Sequence, residues 1–500
     1  MALINAKKQG TTIFGLRKMR ANLLFLMRNF CNFLAQIYTF LAQISKNNLL
    51  SVDGFVSNDV FKINDPNYDL RTSLKWSNFT VSPTLKTRFS DKLSMSNSLY
   101  FSQYSNDLNM QQASILFGVS SYVKDFGFNN SFIYSVKNIP FESGLQYVHH
   151  NLQPQKIEIE NLSNADNTSQ NSIINADEIA VFTTIKPKIT SHLNAELGLR
   201  INYYRSGSTA DSYLHFQPRV VFNYLANDRY SFYATYNRQN QYLSLITTSN
   251  VGIPTDFWFA TSNGIKPQSS NEFSFGSNQN ISKNLVSSFG GFYRLMKNLL
   301  EYPYGVTQFN ETTTLANDLL VGKGKAYGLE MMLRKNNGKF NGWLSYTLSW
   351  SDRNFDKLNN GNTYFAKYDR RHNLSLVGMY DLNSKWSFGA TQIFSSGNRF
   401  TLPTSWYFIN NNPVKQYSEY NNAQMPNYIR TDISVNYFFF RTSKKESALN
   451  FSIYNVFNIE NPIYVVLSLQ ENNQKNGLFA KQENKTLYRI LPSISWRFKF

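Results

Sequence analysis

The densest group of charged side chains is Asp369, Arg370, Arg371 and His372, four in a row. Carboxylate, guanidinium and imidazole groups so close together can contact a polar solute, or pair among themselves and fix the start of a strand. Glu196 with Arg200, and Arg430 with Asp432, stand at even spacings, so in an extended chain each pair shares one face. Facing a water-filled space, such pairs are worth about 0–1 kcal/mol each. Aromatic rings collect in two polar stretches. Tyr242, Phe257, Trp258 and Phe259 lie in 240–268, and Trp406, Tyr407, Tyr417 and Tyr420 lie in 397–427. Exposed there, the rings would grip a sugar or a flat chelate; otherwise they pack the loop on itself or sit at a lipid boundary. The adjacent His149 and His150 would point to opposite faces of a strand, which is poor geometry for one metal ion. No HExxH, GxSxG or phosphate-loop pattern occurs, so the chain reads as neither an enzyme nor the holder of a cofactor or metal.

The elements that must carry these residues follow from a period of two. Tyr488, Ile490, Pro492, Ile494, Trp496, Phe498 and Phe500 alternate with Arg489, Leu491, Ser493, Ser495, Arg497 and Lys499. One face is apolar and aromatic and the other mostly polar or basic, so such a strand can meet hydrocarbon on one side and water on the other. Leu193–Tyr203, Phe340–Trp350 and Ile429–Tyr437 repeat the pattern. About nineteen strands are expected, from 34–44 to 488–500. Short polar turns, as at Ala226–Arg229, Lys335–Lys339 and Leu382–Ser384, alternate with long stretches at 153–176, 240–268, 300–323, 352–370, 397–427 and 459–487. Alternate connections of an antiparallel sheet fall on opposite rims, so one rim carries turns and the other loops.

Composition agrees. Aromatic residues make up 16% of the 500 residues although mean hydropathy is negative, a pairing that suits a barrel interleaving lipid-facing rings with lumen-facing polar groups. No apolar run is long enough for a helical membrane span. The net charge of +18 comes from dispersed Lys and Arg with no nucleic-acid-binding motif, which argues against nucleic acid and for a positive lumen or rim. A single cysteine, Cys31, excludes a disulfide framework within the chain. Leu23, Met27, Phe30, Leu34, Ile37, Leu41 and Ile44 recur at helical steps, so 34–44 reads either as the first strand or as part of an amphipathic helix. With nineteen strands the first and last run the same way and cannot close an antiparallel barrel; a helical 34–44 would make the count even.

The order of several short motifs resembles the TonB-dependent outer-membrane receptors and transporters over roughly residues 45–500. Phe216, Pro218 and Arg219, Tyr233-Ala234-Thr235-Tyr236 and Lys266-Pro267-Gln268 are similar to mid-barrel segments. Tyr293, Met296, Asn298 and Glu301, then Gly324, Tyr327, Gly328 and Glu330, then Gly342-Trp343 and Ser345-Tyr346-Thr347 resemble successive later strands. Tyr368-Asp369-Arg370-Arg371-His372-Asn373 with Trp386, Asn455-Val456-Phe457-Asn458 and the terminal Phe500 match the end of the barrel.

The resemblance implies a large antiparallel transmembrane β-barrel, eighteen to twenty strands of a 22-strand type, in the lipid of a cell outer membrane. It implies uptake of a scarce small solute, with Asp369, Arg370, Arg371, His372, Glu330, Arg430, Asp432, Glu196 and Arg200 as lumen candidates. Tyr242, Trp258, Trp406 and Tyr407 are the loop candidates for recognition. The family places a plug and a TonB-contacting box before the barrel. Neither is found here, so the expectation is a truncated form: residues 1–33 an atypical segment, 34–500 the barrel, TonB a partner only where a plug is supplied, and no energised transport by the barrel alone. The alternative is a passive porin-like channel or an outer-membrane binding or adhesion protein. An adhesive β-protein outside the membrane would turn its apolar face inward.

Overall fold

The computed structural model describes residues 31–499, less 66–69, 113, 138, 162–166, 172, 208, 210, 247–256, 302–318, 410–411, 443, 473–476 and 487. Within these residues one antiparallel sheet holds twenty-one strands, of which Asn167–Asn171 and Tyr364–Phe365 are short. The other nineteen pair in chain order. They begin with β1 (Cys31–Ser45), β2 (Asn48–Asp65), β3 (Leu70–Arg88), β4 (Leu93–Gln112), β5 (Ile115–Val136) and β6 (Ile139–Asn161). Next come β7 (Ile174–Ile185), β8 (Leu193–Ser206), β9 (Ser212–Leu225), β10 (Tyr230–Gln241), β11 (Gln268–Ser282) and β12 (Leu285–Glu301). Then follow β13 (Leu320–Lys335), β14 (Phe340–Asn354), β15 (His372–Asp381), β16 (Trp386–Ser395), β17 (Tyr428–Arg441), β18 (Glu446–Tyr454) and β19 (Leu491–Lys499). No helix among the described residues is long and apolar enough to cross a membrane.

Register carries one apolar face around the whole sheet. Trp496 lies opposite Leu449, Leu449 opposite Tyr437, and Tyr437 opposite Trp386. Further round, Tyr236 lies opposite Phe273 and Phe273 opposite Tyr293. These rows point out of the barrel: Phe275 is 64% exposed and Ile494 70%. The other parity points in and is polar, as in the Ser387–Asn436–Asn450 ladder joined by amide bonds of 3.2 and 2.9 Å. An apolar exterior excludes the adhesive fold with a greasy inside. It also makes a prediction. Phe275→Arg is expected to cost about 2–4 kcal/mol, as for a cation on the lipid face, whereas Ser274→Arg on the inner face is near neutral; urea unfolding in lipid vesicles measures both.

Asparagine makes the short rim. Asn227 Oδ1 accepts from the backbone N–H groups of Arg229 and Tyr230 at 2.9 and 3.0 Å, and Asn383 does the same for Lys385 and Trp386 at 2.9 Å each. These side-chain turns hold neighbouring strands in tight hairpins. Both β1 and β19 run toward this rim, and among the described residues no pairing joins them. The helical alternative for 34–44 is therefore corrected. The segment pairs residue by residue with β2, from Cys31 opposite Phe61 onward, because a long ladder outweighs a weak helical period in an apolar run. The strand takes in Cys31–Phe33, so the segment boundary expected at residue 33 falls inside β1; residues 1–30 lie outside the described set.

The long rim is more ordered than its composition suggests. The stretch 459–487, expected as irregular loop, forms a hairpin of Pro462–Asn472 with Gly477–Thr486. Buried apolar side chains gather where such loops fold back on the sheet. Phe355, Leu358, Tyr364 and Tyr420 pack on Leu299 of β12, and a second cluster is described below.

Candidate functional site

The connection from β10 to β11 turns into the barrel. Leu243–Ile246 pairs with Phe257–Ala260 as a small hairpin. Its buried side chains Ile246, Phe257 and Phe259 pack on Leu152 of β6 and Ile174 of β7, with Val123 of β5 beside them. All three wall residues have inward parity. Each buried aliphatic or aromatic side chain contributes about 1.5–3 kcal/mol, enough to hold the hairpin against a polar lumen.

The base of the hairpin is pinned by rings. Tyr242 stacks on Tyr204 of β8 with centroids 4.6 Å apart and planes within 3°. The Tyr204 hydroxyl donates to the Thr261 carbonyl at 2.8 Å, and the Tyr242 hydroxyl lies 3.0 Å from His215 Nδ1. Burial pushes the Tyr242 phenol up to about 12. Tyr242 is only 3% exposed. Its expected role as an exposed recognition ring is thus corrected: stacking and hydrogen bonding make it an anchor.

Between the hairpin and strands β3–β5 lies a cavity of about 530 Å³, lined by Trp76, Tyr104, Asn106, Asp125, Leu245 and Trp258 among others. Three rings and a carboxylate in one chamber suit a solute with a planar or apolar body and a polar edge. Trp258 is the sequence-expected recognition ring that reaches this chamber. Asp125 also begins a network crossing four neighbouring strands. His150 Nδ1 lies 2.8 Å from Asp125 Oδ1, and His150 Nε2 lies 3.9 Å from Glu178. Glu178 accepts from Asn202 Nδ2 at 2.7 Å and faces Arg200 at 3.5 Å, while Arg200 donates to Gln146 at 2.6 Å. His149 points outward to Asp177 at 2.9 Å, so the two histidines do take opposite faces.

The remaining candidates are spread out. Glu196 does not pair with Arg200; it faces Lys186 at 3.7 Å and Arg219 at 3.6 Å. Four residues along a strand are roughly 13 Å apart, whereas cross-strand neighbours are adjacent, so each charge pairs sideways. Arg430 pairs with Asp432 at 3.1 Å and lies over the Tyr454 ring. Asp432 also accepts from the backbone of Asn455 at 2.9 Å, and the buried Asn455 closes the turn after β18 through both side-chain atoms on Ile459. Glu330 points inward with no ion-pair partner among the described residues.

The Asp369–His372 group is not one lumen cluster. Asp369 is buried, accepts from the Ser351 backbone at 2.8 Å and pairs with Arg371 at 3.2 Å. Arg370 donates to Asn398 at 2.7 Å. His372 lies opposite the outward Leu348 and meets the Tyr346 hydroxyl at 2.8 Å. This group anchors the start of β15. Trp406 packs under Lys415, 5.2 Å from its ring centre, and Tyr407 is 46% exposed; both lie on the hairpin of Ser405–Ile409 with Asn412–Gln416. Trp76, Tyr104, Asp125, His150 and Glu178 were not anticipated. Each lies at an inward parity position, but only the register of adjacent strands shows that they converge.

An antiparallel barrel with an apolar exterior, a rim of tight turns and a rim of inward-folding loops defines a large membrane-spanning β-barrel with a built chamber. The model of the TonB dependent receptor-like, beta-barrel family matches residues 32–456, and the chain belongs to that family. Among solved structures it is similar to the ferric citrate transporter FecA in its unliganded form. The identity is 15%, over 94% of this chain and 70% of that one, with a TM-score of 0.59. It is also similar to the ferripyoverdine receptor of the Pseudomonas aeruginosa outer membrane (16%, 87% and 62%, TM-score 0.61). A third likeness is to BauA, the ferric preacinetobactin receptor of Acinetobacter baumannii (12%, 96% and 74%, TM-score 0.58). The chain thus spans 62 to 74% of the length of these structures, and at such identities the likeness shows the fold. No curated protein sequence matches it.

Proposed function

We propose that the chain forms the barrel of an outer-membrane receptor that captures a scarce small solute in the chamber between Trp76, Tyr104 and Trp258. The observation that carries this reading is the inward hairpin. It converts part of an open lumen into a lined cavity, the kind of concave site that holds a small molecule. Outer-membrane lipid surrounds the apolar rows. TonB is the expected partner where a plug domain accompanies the barrel. The ligands named for similar structures are mostly ferric chelates, whose organic portions offer the three rings a contact surface.

The test uses ferric citrate and ferripyoverdine as probes of tryptophan fluorescence in the purified chain. Saturable quenching is expected with at least one of them, weakened about thirtyfold by Trp258→Ala, the loss typical of a central aromatic contact. Free passage of small solutes with no saturable binding would replace this reading with the passive channel.

A further inference from the structure

We infer that the chamber between the hairpin and β3–β5 selects a solute with a cationic edge, an amidinium, guanidinium or ammonium group on a planar body, and that Asp125 is the residue that selects it. The inference rests on the capture reading above and narrows it by charge. The chain carries 50 Lys and Arg against 32 Asp and Glu. Yet among the described residues no Lys or Arg lines the chamber, and its one charged wall residue is Asp125. Trp76, Tyr104 and Trp258 add to the attraction, because the negative face of an aromatic ring draws a cation.

Register leaves the carboxylate open to the chamber. Asp125 lies opposite Ser102 of β4, whose side chain is too short to cover it. The next inward ring toward the short rim, Tyr100, lies over Gly127 of β5, in the space a β-carbon would need there. The basic residues of the same strands point away. Lys75 of β3 and Lys124 of β5 have outward parity, and Lys124 rests 4.6 Å from the centre of the Tyr122 ring on the outer face.

The neighbours of Asp125 do not cancel its charge. His150 Nδ1 meets Asp125 Oδ1 at 2.8 Å, which leaves the second carboxylate oxygen outside that bond. Even a protonated His150 is shared with Glu178 at 3.9 Å. Arg200 is committed to Glu178 at 3.5 Å and to Gln146 at 2.6 Å. A third carboxylate, Asp59 of β2, stands opposite Trp76 on the same inward row, and its Oδ1 is buried without a hydrogen bond. Asp59, Asp125 and Glu178 thus face at most two cations, His150 and Arg200. A negative excess in a partly enclosed space concentrates cationic solutes. An amidinium or guanidinium fork also fits a carboxylate through parallel charge-assisted hydrogen bonds.

The probes are benzamidine, benzamide and benzoate, water-soluble planar molecules of nearly one shape that are cationic, neutral and anionic at neutral pH. Equilibrium dialysis against the full chain in detergent should show saturable binding of benzamidine, about thirtyfold tighter than benzamide, the preference of ring faces for a desolvated cation. Benzoate should bind more weakly than either. Asp125→Asn keeps the shape of the side chain and an acceptor for His150. It should weaken benzamidine about tenfold, the loss typical of a hydrogen bond to a charged group, and leave benzamide unchanged. Glu330→Gln, at an inward carboxylate on β13 that does not line the chamber, should alter neither. Should Asp125→Asn fail to fold, the three probes on the unaltered chain decide the matter alone. Equal affinity for benzamidine and benzamide, tighter binding of benzoate, or undiminished binding by Asp125→Asn overturns the assignment. An equal loss with Glu330→Gln makes the effect a general field of the lumen and overturns it too. So does the absence of benzamidine binding. If a ferric chelate still quenches in that case, the capture reading stands without the charge preference; if no chelate does, both fall.

Discussion

Glu178→Ala should lower the stability of the barrel by about 3 kcal/mol, the range seen when one partner of a buried ion network is removed. The Glu178 side chain is only 18% exposed and receives three groups: the Asn202 amide at 2.7 Å, Arg200 at 3.5 Å and His150 at 3.9 Å. Alanine leaves all three facing an emptied position beneath the hairpin. His150 is the most costly of them, because its Nε2 is already buried with no hydrogen bond and Glu178 is the charge nearest to it on that side. Glu178→Gln keeps an acceptor for Asn202, so it should lose about half as much. Glu196→Ala is the matched comparison. Its ion pairs are long, 3.6 and 3.7 Å, and their basic members are about half exposed or more. Pairs of that kind are worth about 0–1 kcal/mol. Urea midpoints at a common slope measure all three variants. Equal shifts for Glu178→Ala and Glu196→Ala would mean that water reaches the network and screens it.

The same two glutamates show where sequence and structure part. Parity alone placed Glu196, Arg200, Arg430 and Asp432 on inward positions, because side-chain direction in a strand is fixed by the backbone and needs no neighbour. The number of long strands and the split between a turn rim and a loop rim followed from the same regularity. Pairing was another matter. Arg200 was matched with Glu196 on its own strand, whereas register puts Glu178 within reach from β7. Register depends on where each hairpin turns, and a shift of one residue exchanges the two faces. His372 was misread for a related reason: it is the first residue of β15, and the phase of a strand at its very start cannot be read from a charged run. The loop rings failed differently. Tyr242 and Phe259 lie in a polar stretch that looks solvated, but their burial is against Tyr204 and Leu152, residues distant in sequence. No local pattern encodes such a contact.

Undocking the hairpin should open the chamber, and Phe259→Ala is the sharpest way to do it. Phe259 is fully buried in the cluster that joins the hairpin to β6 and β7. Truncating a buried phenylalanine costs about 3–5 kcal/mol, and here most of that loss falls on the docked state of the hairpin alone, since the barrel ladder does not depend on it. Tyr242→Ala removes the stacked ring at the base and should act in the same direction. The readout is access to the wall beneath. In a Cys31→Ser background, Val123→Cys lies under the docked hairpin and should react slowly with a membrane-impermeant thiol reagent. Adding Phe259→Ala should raise that rate by roughly two orders of magnitude, because labelling then follows the open population. Conductance across a planar bilayer should rise with it, since the hairpin occupies part of the lumen. A further arm separates lid from scaffold: a chelate bound in the chamber should slow labelling of the Phe259→Ala variant if the ligand itself holds the hairpin down. Rapid labelling of Val123→Cys in the otherwise unaltered chain would show a hairpin that is mostly undocked, and the chamber would then have no standing wall for a solute to find.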